Sequence, residues 1–454
     1  MGYKHHSNTK STGLMWAPDL PVHWVRRRLR FLLRDGHSGL KIGPFGSQIK
    51  LQDLTDYGFK IYGQENVIGR DFRVGYRYLS PESFEELKVY EITQSDVLVT
   101  MMGTSGRCEI VPPAICPGIM DSHLVRLRTN EEITGEFLRY LIEESHYVRT
   151  QIDLLGKGSI MQGLNSSIIK SLDVLLPPKA EQDEIVDFLD WKTGQIDALI
   201  ARKRELLEKL KEKRLAVITQ AVTKGLNPAA PMHDSGIPWL GQVPQHWEVI
   251  PLGFLVTMTG GMTPSMANAE YWEGDIPWVT PKDMKQPKIS DSIDRVTNRA
   301  LEDTSIALIP VNAVLIVVRG MILAHSFPTA ITEKPVTINQ DMKALRAGEK
   351  LEVEYLFWTL TGFAKVFSAL AQESAHGTRK METETIKKFA FPVPPGDEQK
   401  AIIRSLEAWL RQLDSLSLAT ESTIARLTEY RTALITAATT GKIDVRGVKI
   451  PEAP

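Results

Sequence analysis

The stretch SGIPWLGQVPQHW at residues 235–247 decides the fold, because most of its pattern occurs earlier in the chain without a gap. Each residue of the earlier copy lies 223 positions before its match. The matched residues are Gly13, Trp16, Pro21, His23, Trp24 and Leu29, followed by Gly236, Trp239, Pro244, His246, Trp247 and Leu252. A repeat of this kind predicts two structural units of the same type.

Further matches follow in the same order along the chain. Pro177 and Pro178 precede a Glu-Gln pair, and so do Pro394 and Pro395, at an offset of 217. Both copies end in a glycine, at Gly225 and at Gly441. The sequence therefore predicts an internal duplication whose second copy has lost a few residues from its globular part.

Each copy has a globular part and a helical part. The globular parts, 1–178 and 228–395, contain short β-branched runs between Gly, Pro, Asn and Asp, and we expect strands at 96–100, 119–127, 313–318 and 336–345. The helical parts, 179–227 and 396–454, carry apolar residues at three- and four-residue steps. The apolar residues are Ile185, Leu189, Ile196, Leu199, Leu206, Leu210 and Val217 in the first helix, and Ile402, Leu406, Leu413, Leu427 and Leu434 in the second.

A helix of about 45 residues is roughly 65 Å long, which is too long to lie inside a small globule. The two apolar stripes must therefore bury each other or pack against a partner. We predict an α+β fold in which two mixed α/β globular domains are joined by two long antiparallel coiled-coil helices, with pseudo-two-fold symmetry.

Bulk composition indicates a soluble globular protein and gives no hint of a nucleic-acid partner. Of all residues 43% are hydrophobic and 24% charged, and 54 basic against 55 acidic residues leave a net charge of −1. The basic run at 202–214 alternates with glutamates, which is typical of a solvated helix face. We expect Cys108 and Cys116 to be reduced thiols. No signal peptide or membrane span is apparent, which predicts a cytoplasmic protein.

With these residues in view, the chain resembles the specificity subunits of type I restriction-modification systems over nearly its whole length. The family's boundary phrase stands at 235–247, and its Pro-Pro-x-x-Glu-Gln phrase stands at 177–182 and 394–399. Residues 261–264, 274–278 and 338–341 are similar to phrases of the family's target-recognition domains. The first copy departs from the pattern, with Ala17-Pro18 in place of Leu-Gly and Asp121-Ser122-His123 in place of Asn339-Gln340-Asp341.

The resemblance implies two target-recognition domains that each read one half of a bipartite double-stranded DNA target. It also implies that the helices set the spacing and dock two methyltransferase subunits, with restriction/translocase subunits joining that core. This expectation agrees with the physics of groove reading, because one rigid domain reaches only a few adjacent base pairs.

Catalytic motifs are absent from the sequence. The Pro-Pro pairs lack the preceding Asn or Asp of an adenine methyltransferase, and Gly441-Lys442 is not part of a P-loop. No Ser nucleophile phrase and no zinc spacing is found. We therefore expect a non-catalytic subunit without cofactor or metal; a stand-alone restriction or methylation enzyme is disfavoured, and a helical scaffold that bridges proteins without reading DNA remains the alternative.

Candidate DNA contacts are polar and basic residues in glycine-containing loops, because base edges need donors and acceptors and phosphates need cations or loop amides. In the first domain they are Ser47, Gln48, Gln64, Asn66, Thr104, Ser105, Arg107, Lys157, Ser159 and Gln162. In the second they are Thr263, Lys282, Arg319, His376, Thr378, Arg379 and Lys380. The loops at 156–162 and 376–380 are the strongest candidates. Trp16, Trp24, Trp239 and Trp247 are expected to be packing anchors rather than stacking platforms.

Overall fold

A computed structural model describes residues 3–14, 17–45, 48–50, 53–156, 164–373 and 377–451. The chain forms two compact units: unit 1 contains residues 1–204 and 422–454, and unit 2 contains residues 205–421. Both divisions fall inside a long helix. Each unit therefore combines one globular part with a segment of both helices.

Unit 1 is built from short strands and helices that precede the first long helix. In chain order its elements are β1 (Thr9–Leu14), β2 (Ala17–Pro21), β3 (Val25–Arg28), β4 (Leu40–Ile42), β5 (Leu54–Thr55), β6 (Phe59–Tyr62), α1 (Gln64–Ile68), β7 (Tyr78–Leu79), α2 (Pro81–Glu86), β8 (Val97–Thr100), β9 (Cys108–Ile110), β10 (Gly118–Met120), β11 (Leu124–Leu127), α3 (Gly135–Arg139), α4 (His146–Gly156), α5 (Ser166–Ser171), β12 (Asp173–Leu176) and the first part of α6 (Lys179–Lys224).

Unit 2 repeats this plan. Its elements after α6 are β13 (Met232–Asp234), β14 (Gln242–Pro244), β15 (Glu248–Pro251), β16 (Val256–Gly260), β17 (Trp272–Val279), β18 (Lys288–Ile289), β19 (Asp294–Val296), α7 (Asn298–Asp303), β20 (Val314–Val317), β21 (Arg319–Gly320), β22 (Thr329–Thr332), β23 (Thr337–Ile338), β24 (Met342–Ala347), α8 (Val353–Gly362), α9 (Ala364–Leu370), β25 (Gln372–Glu373), β26 (Arg379–Lys380), α10 (Thr383–Lys387), β27 (Ala390–Val393) and the first part of α11 (Gly396–Thr439).

Three of the sheets correspond between the two units. The order β4-β11-β8-β9 in unit 1 matches β16-β24-β20-β22 in unit 2, which adds β18. The hairpin β1-β2 matches β13-β14, and the pair β12-β3 matches β27-β15. The central strands β8 and β20 are buried at every residue, as continuous β-branched runs predict. The duplication predicted from the sequence is confirmed at the level of topology.

Two runs that the sequence predicts as single strands are each two strands with a tight turn between them. In the first, Oδ1 of Asp121 accepts a hydrogen bond from the His123 N–H at 3.0 Å. In the second, Oδ1 of Asn339 accepts one from the Asp341 N–H at 3.1 Å. Asp and Asn stabilise turns through this local bond, which the β-branched residues on either side conceal in the sequence pattern.

The long helices pack against each other within each unit, and they run antiparallel. In unit 1 the Arg431 guanidinium bonds to Asp197, while Arg446, just beyond α11, approaches Glu181 at the start of α6. In unit 2 Arg214 pairs with Asp414. The predicted stripe is buried at most positions, but Leu199 is exposed and the adjacent Ile200 is buried in its place.

A repeated contact set, here called the joint, connects each globular part to both helices. Its first component is the buried tryptophan of the Pro-x-x-Trp turn, Trp24 in unit 1 and Trp247 in unit 2. A Cβ added to Gly441 would lie 2.5 Å from Pro21 and 3.5 Å from Trp24, and one added to Gly225 would lie 3.2 Å from Trp247. The end of α11 thus packs against Trp24 in unit 1, and the end of α6 packs against Trp247 in unit 2.

The Glu-Gln pair at the start of each long helix supplies the rest of the joint. The Gln182 amide accepts from the Thr134 N–H at 2.9 Å and donates to the carbonyls of Glu132 and Pro177 at 2.7 and 3.0 Å. Gln399 makes the same three bonds, to Glu352, Lys350 and Pro394. Each glutamine is buried, so it satisfies backbone groups that would otherwise lack partners.

The tryptophan prediction is confirmed for Trp24 and Trp247, while Trp239 is partly exposed and stacks on Phe389. Trp16 lies outside the described residues. Cys108 and Cys116 are free cysteines, and burial raises the pKa of the Cys108 thiol. Among the described residues no helix is both long and apolar enough to cross a membrane.

Candidate nucleic-acid interface

Each unit contains a place, here called the corner, where a glycine phrase lies against the Asx turn between two strands. Corner 2 consists of residues 261–264 and 338–341. The Met262 N–H donates to the Ile338 carbonyl at 2.9 Å, and a Cβ added to Gly261 would lie 1.9 Å from the Asn339 carbonyl oxygen. Only glycine permits so close an approach of two backbones.

Corner 1 consists of residues 43–45 and 121–123 and has the same close glycine contact, but Pro44 has no N–H to make the bond that Met262 makes in corner 2. A Cβ added to Gly43 would lie 1.7 Å from the Asp121 carbonyl oxygen, and the Gly43 N–H donates to the Leu124 carbonyl at 2.9 Å. The side chains differ from those of corner 2. The Arg77 guanidinium donates to the Asp121 carboxylate at 3.0 Å, so the turn carries an ion pair.

Three family-like phrases of the second globular part meet at corner 2. The phrase at 261–264 lies against the one at 338–341, and the indole N–H of Trp278, from the phrase at 274–278, donates to the Met262 carbonyl at 3.0 Å. The Thr263 hydroxyl donates to the Gln340 side chain. Gln340 is exposed, so corner 2 presents an amide to solvent beside a hydroxyl.

A basic edge adjoins corner 2, formed by Arg319 on β21 and by Arg379 and Lys380 on β26. Arg319 is the register partner of Lys380, and Gly320 that of Arg379. The Arg319 N–H donates to the Asp341 carbonyl at 3.2 Å, which joins this edge to the corner. Half of the Arg319 side chain is exposed, and its guanidinium lies 4.0 Å from the Asp341 carboxylate.

The structure therefore brings together four residues that the sequence analysis selected separately: Thr263, Arg319, Arg379 and Lys380. Lys380 also pairs with Glu382 at 2.7 Å, and Arg379 donates to the Ser368 carbonyl at 3.3 Å. Lys282 is exposed on the loop after β17 and Thr378 is half-buried. The sequence analysis did not select Gln340 as a candidate DNA contact, although its position in the family-like phrase at 338–341 could have indicated it.

In unit 1 the loop between β8 and β9 approaches corner 1, because the Met101 N–H donates to the His123 carbonyl at 2.9 Å. Thr104 and Ser105 are exposed on this loop. Arg107 pairs with the buried carboxylate of Glu143 at 3.0 Å, so its charge is already partnered.

Near corner 1, Gln48 is exposed and its amide oxygen accepts from the Phe45 N–H at 3.0 Å. Gln64 is half-buried at the start of α1. Asn66 requires a correction, because it is fully buried and its amide bonds to Gly63, Asp71 and Val74. A side chain committed to three backbone groups is unavailable to a base edge. Asn66 is therefore dropped from the candidate contacts.

Five candidates lie outside the described residues. They are Ser47, Lys157, Ser159, Gln162 and His376. The strongest candidate loop of the first domain, 156–162, thus has no described geometry beyond its start.

Comparison with known proteins identifies the family. The sequence matches the family described as "Type I restriction modification DNA specificity domain" over residues 46–212 and 244–424. These two stretches make up well over half of the chain. The chain therefore belongs to the family with this specificity domain and carries two copies of it, which confirms the resemblance drawn from the sequence.

Curated relatives are specificity subunits. The chain is 35% identical over 157 residues to the type I restriction enzyme EcoR124I/EcoR124II specificity subunit of Escherichia coli, an alignment that covers 34% of this chain and 39% of that relative. The chain thus spans less than half of that protein's length. It is 24% identical over 447 residues to the putative MjaX specificity subunit of Methanocaldococcus jannaschii, covering 94% of this chain and 95% of the relative.

Solved structures share the fold. A chain from a structure of the type I R-M system, concerned with its complex assembly and conformational transition, matches with a TM-score of 0.71 at 18% identity, covering 92% of this chain and 98% of the other. The HsdS subunit from Thermoanaerobacter tengcongensis matches with a TM-score of 0.55 at 18% identity, covering 93% and 98%. The predicted fold class, two mixed globular domains with two long helices, is confirmed.

Proposed function

We propose that this chain is the DNA-reading subunit of a cytoplasmic type I restriction-modification complex and is not itself an enzyme. Residues 1–178 and 228–395 would each read one half of a bipartite target. The helical parts, 179–227 and 396–454, would set the gap between the half-sites and dock two methyltransferase subunits, with restriction/translocase subunits joining them.

The observation that supports this proposal best is the repeated corner with unlike side chains. The close contact between the glycine and the Asx turn recurs, and the glycine N–H donates to Leu124 in one unit and to Met342 in the other. The side chains that follow the Asx residue change from Ser122 and His123 to Gln340 and Asp341. Bases are distinguished by donor and acceptor patterns, so two such surfaces suit two different half-sites. A scaffold that binds only proteins gives no reason for this pattern.

The basic edge suits the phosphate backbone beside the second half-site. Arg319 and Lys380 lie on paired strands next to corner 2, and Arg319 is half exposed. We assign phosphate contacts to these two residues and to Arg379, and base contacts to Gln340 and Thr263. In the first domain we assign contacts to Gln48, Thr104 and Ser105, with Gln64 and Arg107 as secondary candidates and Ser47, Lys157, Ser159 and Gln162 kept as predictions. In the second domain Lys282 and Thr378 are secondary candidates, and His376 is kept as a prediction.

The test begins with methylome sequencing of the host, which supplies the modified bipartite site. Footprinting of a labelled duplex with the chain and its methyltransferase subunits should then protect two short tracts on either side of an unread gap. Absent or sequence-blind protection would support the scaffold alternative. Methylation or cleavage by the purified chain alone would contradict the non-catalytic assignment.

Two variants refine the assignment. Gln340→Ala should relax specificity at one position of one half-site, whereas Arg319→Ala should weaken binding to all sequences and lower the salt slope by about 1. The matched control is Lys387→Ala, which removes an exposed cation already paired with Glu384. If Arg319→Ala and Lys387→Ala have the same effect on DNA binding, the basic edge is not part of the interface.

A further inference from the structure

Two histidines and a glutamate meet at the joint of unit 1. His6 comes from the N-terminal segment, His23 from the turn between β2 and β3, and Glu181 from the first turn of α6. One potential ligand atom of each residue lies within 4.8 Å of the other two. The joint thus collects two imidazoles and a carboxylate, which is the ligand chemistry of zinc sites.

The distances indicate a shared centre around the carboxylate. Nε2 of His23 lies 2.7 Å from one Glu181 oxygen, and Nε2 of His6 lies 3.8 Å from the other. On the opposite side of the His6 ring, Nδ1 lies 3.8 Å from the Asp444 carboxylate. A carboxylate behind the ring nitrogen that does not bind the metal is the usual outer-shell partner of a ligating histidine.

Burial leaves the centre accessible from one direction. The side chains of His6 and Glu181 are 4% and 7% exposed, whereas that of His23 is 35% exposed. Three protein ligands with one open side resemble a zinc site that keeps a water as its fourth ligand.

Unit 2 provides a natural comparison. His246 and Glu398 form the same contact at 2.7 Å, so the His-Glu pair belongs to the joint of both units. At the offset of 223 positions, however, Ala229 stands where unit 1 has His6. Within the described part of unit 2 no third ligand completes a metal-binding group. The addition of His6 distinguishes the two joints.

We propose that His6, His23 and Glu181 bind one Zn²⁺ ion, oriented by Asp444, and that this ion fastens the N-terminal segment to the first turn of α6. Zinc bonds of about 2.0–2.1 Å place tetrahedral ligand atoms roughly 3.3 Å apart. When the ion binds, the distance between the His23 and Glu181 ligand atoms therefore increases slightly. The distances between the other ligand atoms decrease by roughly an ångström. The proposal does not depend on the DNA-reading function.

One charged neighbour opposes the ion. Nε of Arg446 lies 3.9 Å from the Glu181 carboxylate, and the same guanidinium bonds to Asp444 at 2.7 Å. This cation competes with Zn²⁺ for Glu181. Because the Arg446 side chain is 46% exposed, it can turn towards solvent when the ion binds.

The test uses the full-length chain after chelator treatment, titrated with Zn²⁺ by calorimetry and with Co²⁺ by visible absorption, with metal content measured by mass spectrometry. We expect one ion per chain, and a cobalt spectrum typical of a low-coordinate site. His6→Gln should weaken Zn²⁺ binding more than ten-fold, and Asp444→Asn by about 10- to 100-fold. Arg446→Gln should strengthen it. His246→Gln, the matched change in unit 2, should leave it unchanged.

Circular dichroism of each metal-free variant separates loss of the site from loss of the fold. Hydrogen exchange provides a second readout, because Zn²⁺ should protect residues 3–8 in the wild-type chain and in His246→Gln but not in His6→Gln. The proposal is overturned if the wild-type chain binds no stoichiometric Zn²⁺, or if folded His6→Gln binds it as tightly as the wild type.

Discussion

Apart from His6, the joints of the two units repeat both their contacts and their residue types, whereas the corners repeat the close glycine contact but not their side chains. Gln182 and Gln399 make the same three hydrogen bonds, and Trp24 and Trp247 are both buried. At the corners the close glycine contacts recur, but an Arg77–Asp121 ion pair in unit 1 has no equivalent at Asn339. The contacts that hold the helices are therefore the same in both units, whereas the exposed side chains at the corners differ.

This difference has a physical reason. A buried amide that bonds three backbone groups tolerates little change, because each lost partner leaves a desolvated polar group. An exposed side chain on a rigid turn can change at almost no cost to stability. A protein that presents two different surfaces on one kind of frame can thus vary the corners independently of the joints.

The largest expected effect is the loss of the joint glutamine. Gln182→Leu and Gln399→Leu should each destabilise their own unit by on the order of 3 kcal/mol, because three backbone groups lose their partner. Hydrogen exchange of peptides at the start of α6 and of α11 measures the two losses separately. Gln220→Leu, an exposed change on the same helix, is the control. Clearly unequal losses would show that the joints are not energetically equivalent.

The second prediction concerns an arginine that faces the paired helix in both units. Arg431 bonds to Glu144 at 2.7 and 3.1 Å and to Asp197 at 2.9 Å, and its side chain is 19% exposed. Arg214, the matched residue at an offset of 217, pairs with Asp414, and its side chain is 37% exposed. Arg431→Leu should therefore cost roughly 2 kcal/mol, and Arg214→Leu less than about 1 kcal/mol.

The effect of Arg431→Leu should depend on pH. Burial alone would raise the pKa of Glu144, but the hydrogen bond and charge of Arg431 outweigh it and lower the pKa below its usual value. A carboxylate with a lowered pKa stabilises the fold above the unfolded-state pKa of about 4.3, and this contribution is lost as the pH falls through the lowered pKa. Unfolding of wild type and variant should differ most near neutral pH and converge in acid. A constant difference across this range would contradict the ion-pair explanation.

The smallest difference between the two units is expected at the glycines that end the long helices. Gly225 and Gly441 have φ values of 71° and 69°, so alanine costs about 1 kcal/mol at either position. Gly441→Ala should cost more, because its Cβ would lie 2.5 Å from Pro21, whereas that of Gly225→Ala would lie 3.0 Å from the Glu398 side chain. Gly447→Ala, at a φ of 72° with no neighbour within 4 Å, measures the strain without the contact. If thermal unfolding shows the same loss of stability at all three positions, the neighbouring side chains move aside and the close contact costs nothing.

Sequence reasoning predicted the elements with a strong local signal and missed those that depend on one side chain. The helices at Lys179–Lys224 and Gly396–Thr439 follow from long apolar periodicity. The turns at 121–123 and 339–341 were hidden inside β-branched runs, although each is made by a single Asx side chain. For the same reason Asn66 was selected as a polar loop residue and proved to be a buried structural one.

The sequence alone determined the duplication, the two long helices and the family, because these depend on local patterns and on their repetition at nearly constant offsets. Only the tertiary structure decided which distant residues meet. It joins Gly441 to Trp24, Thr263 to Gln340, and His6 to Glu181. Contacts between residues so far apart in the chain are set by the packing of whole elements, and no local pattern records them.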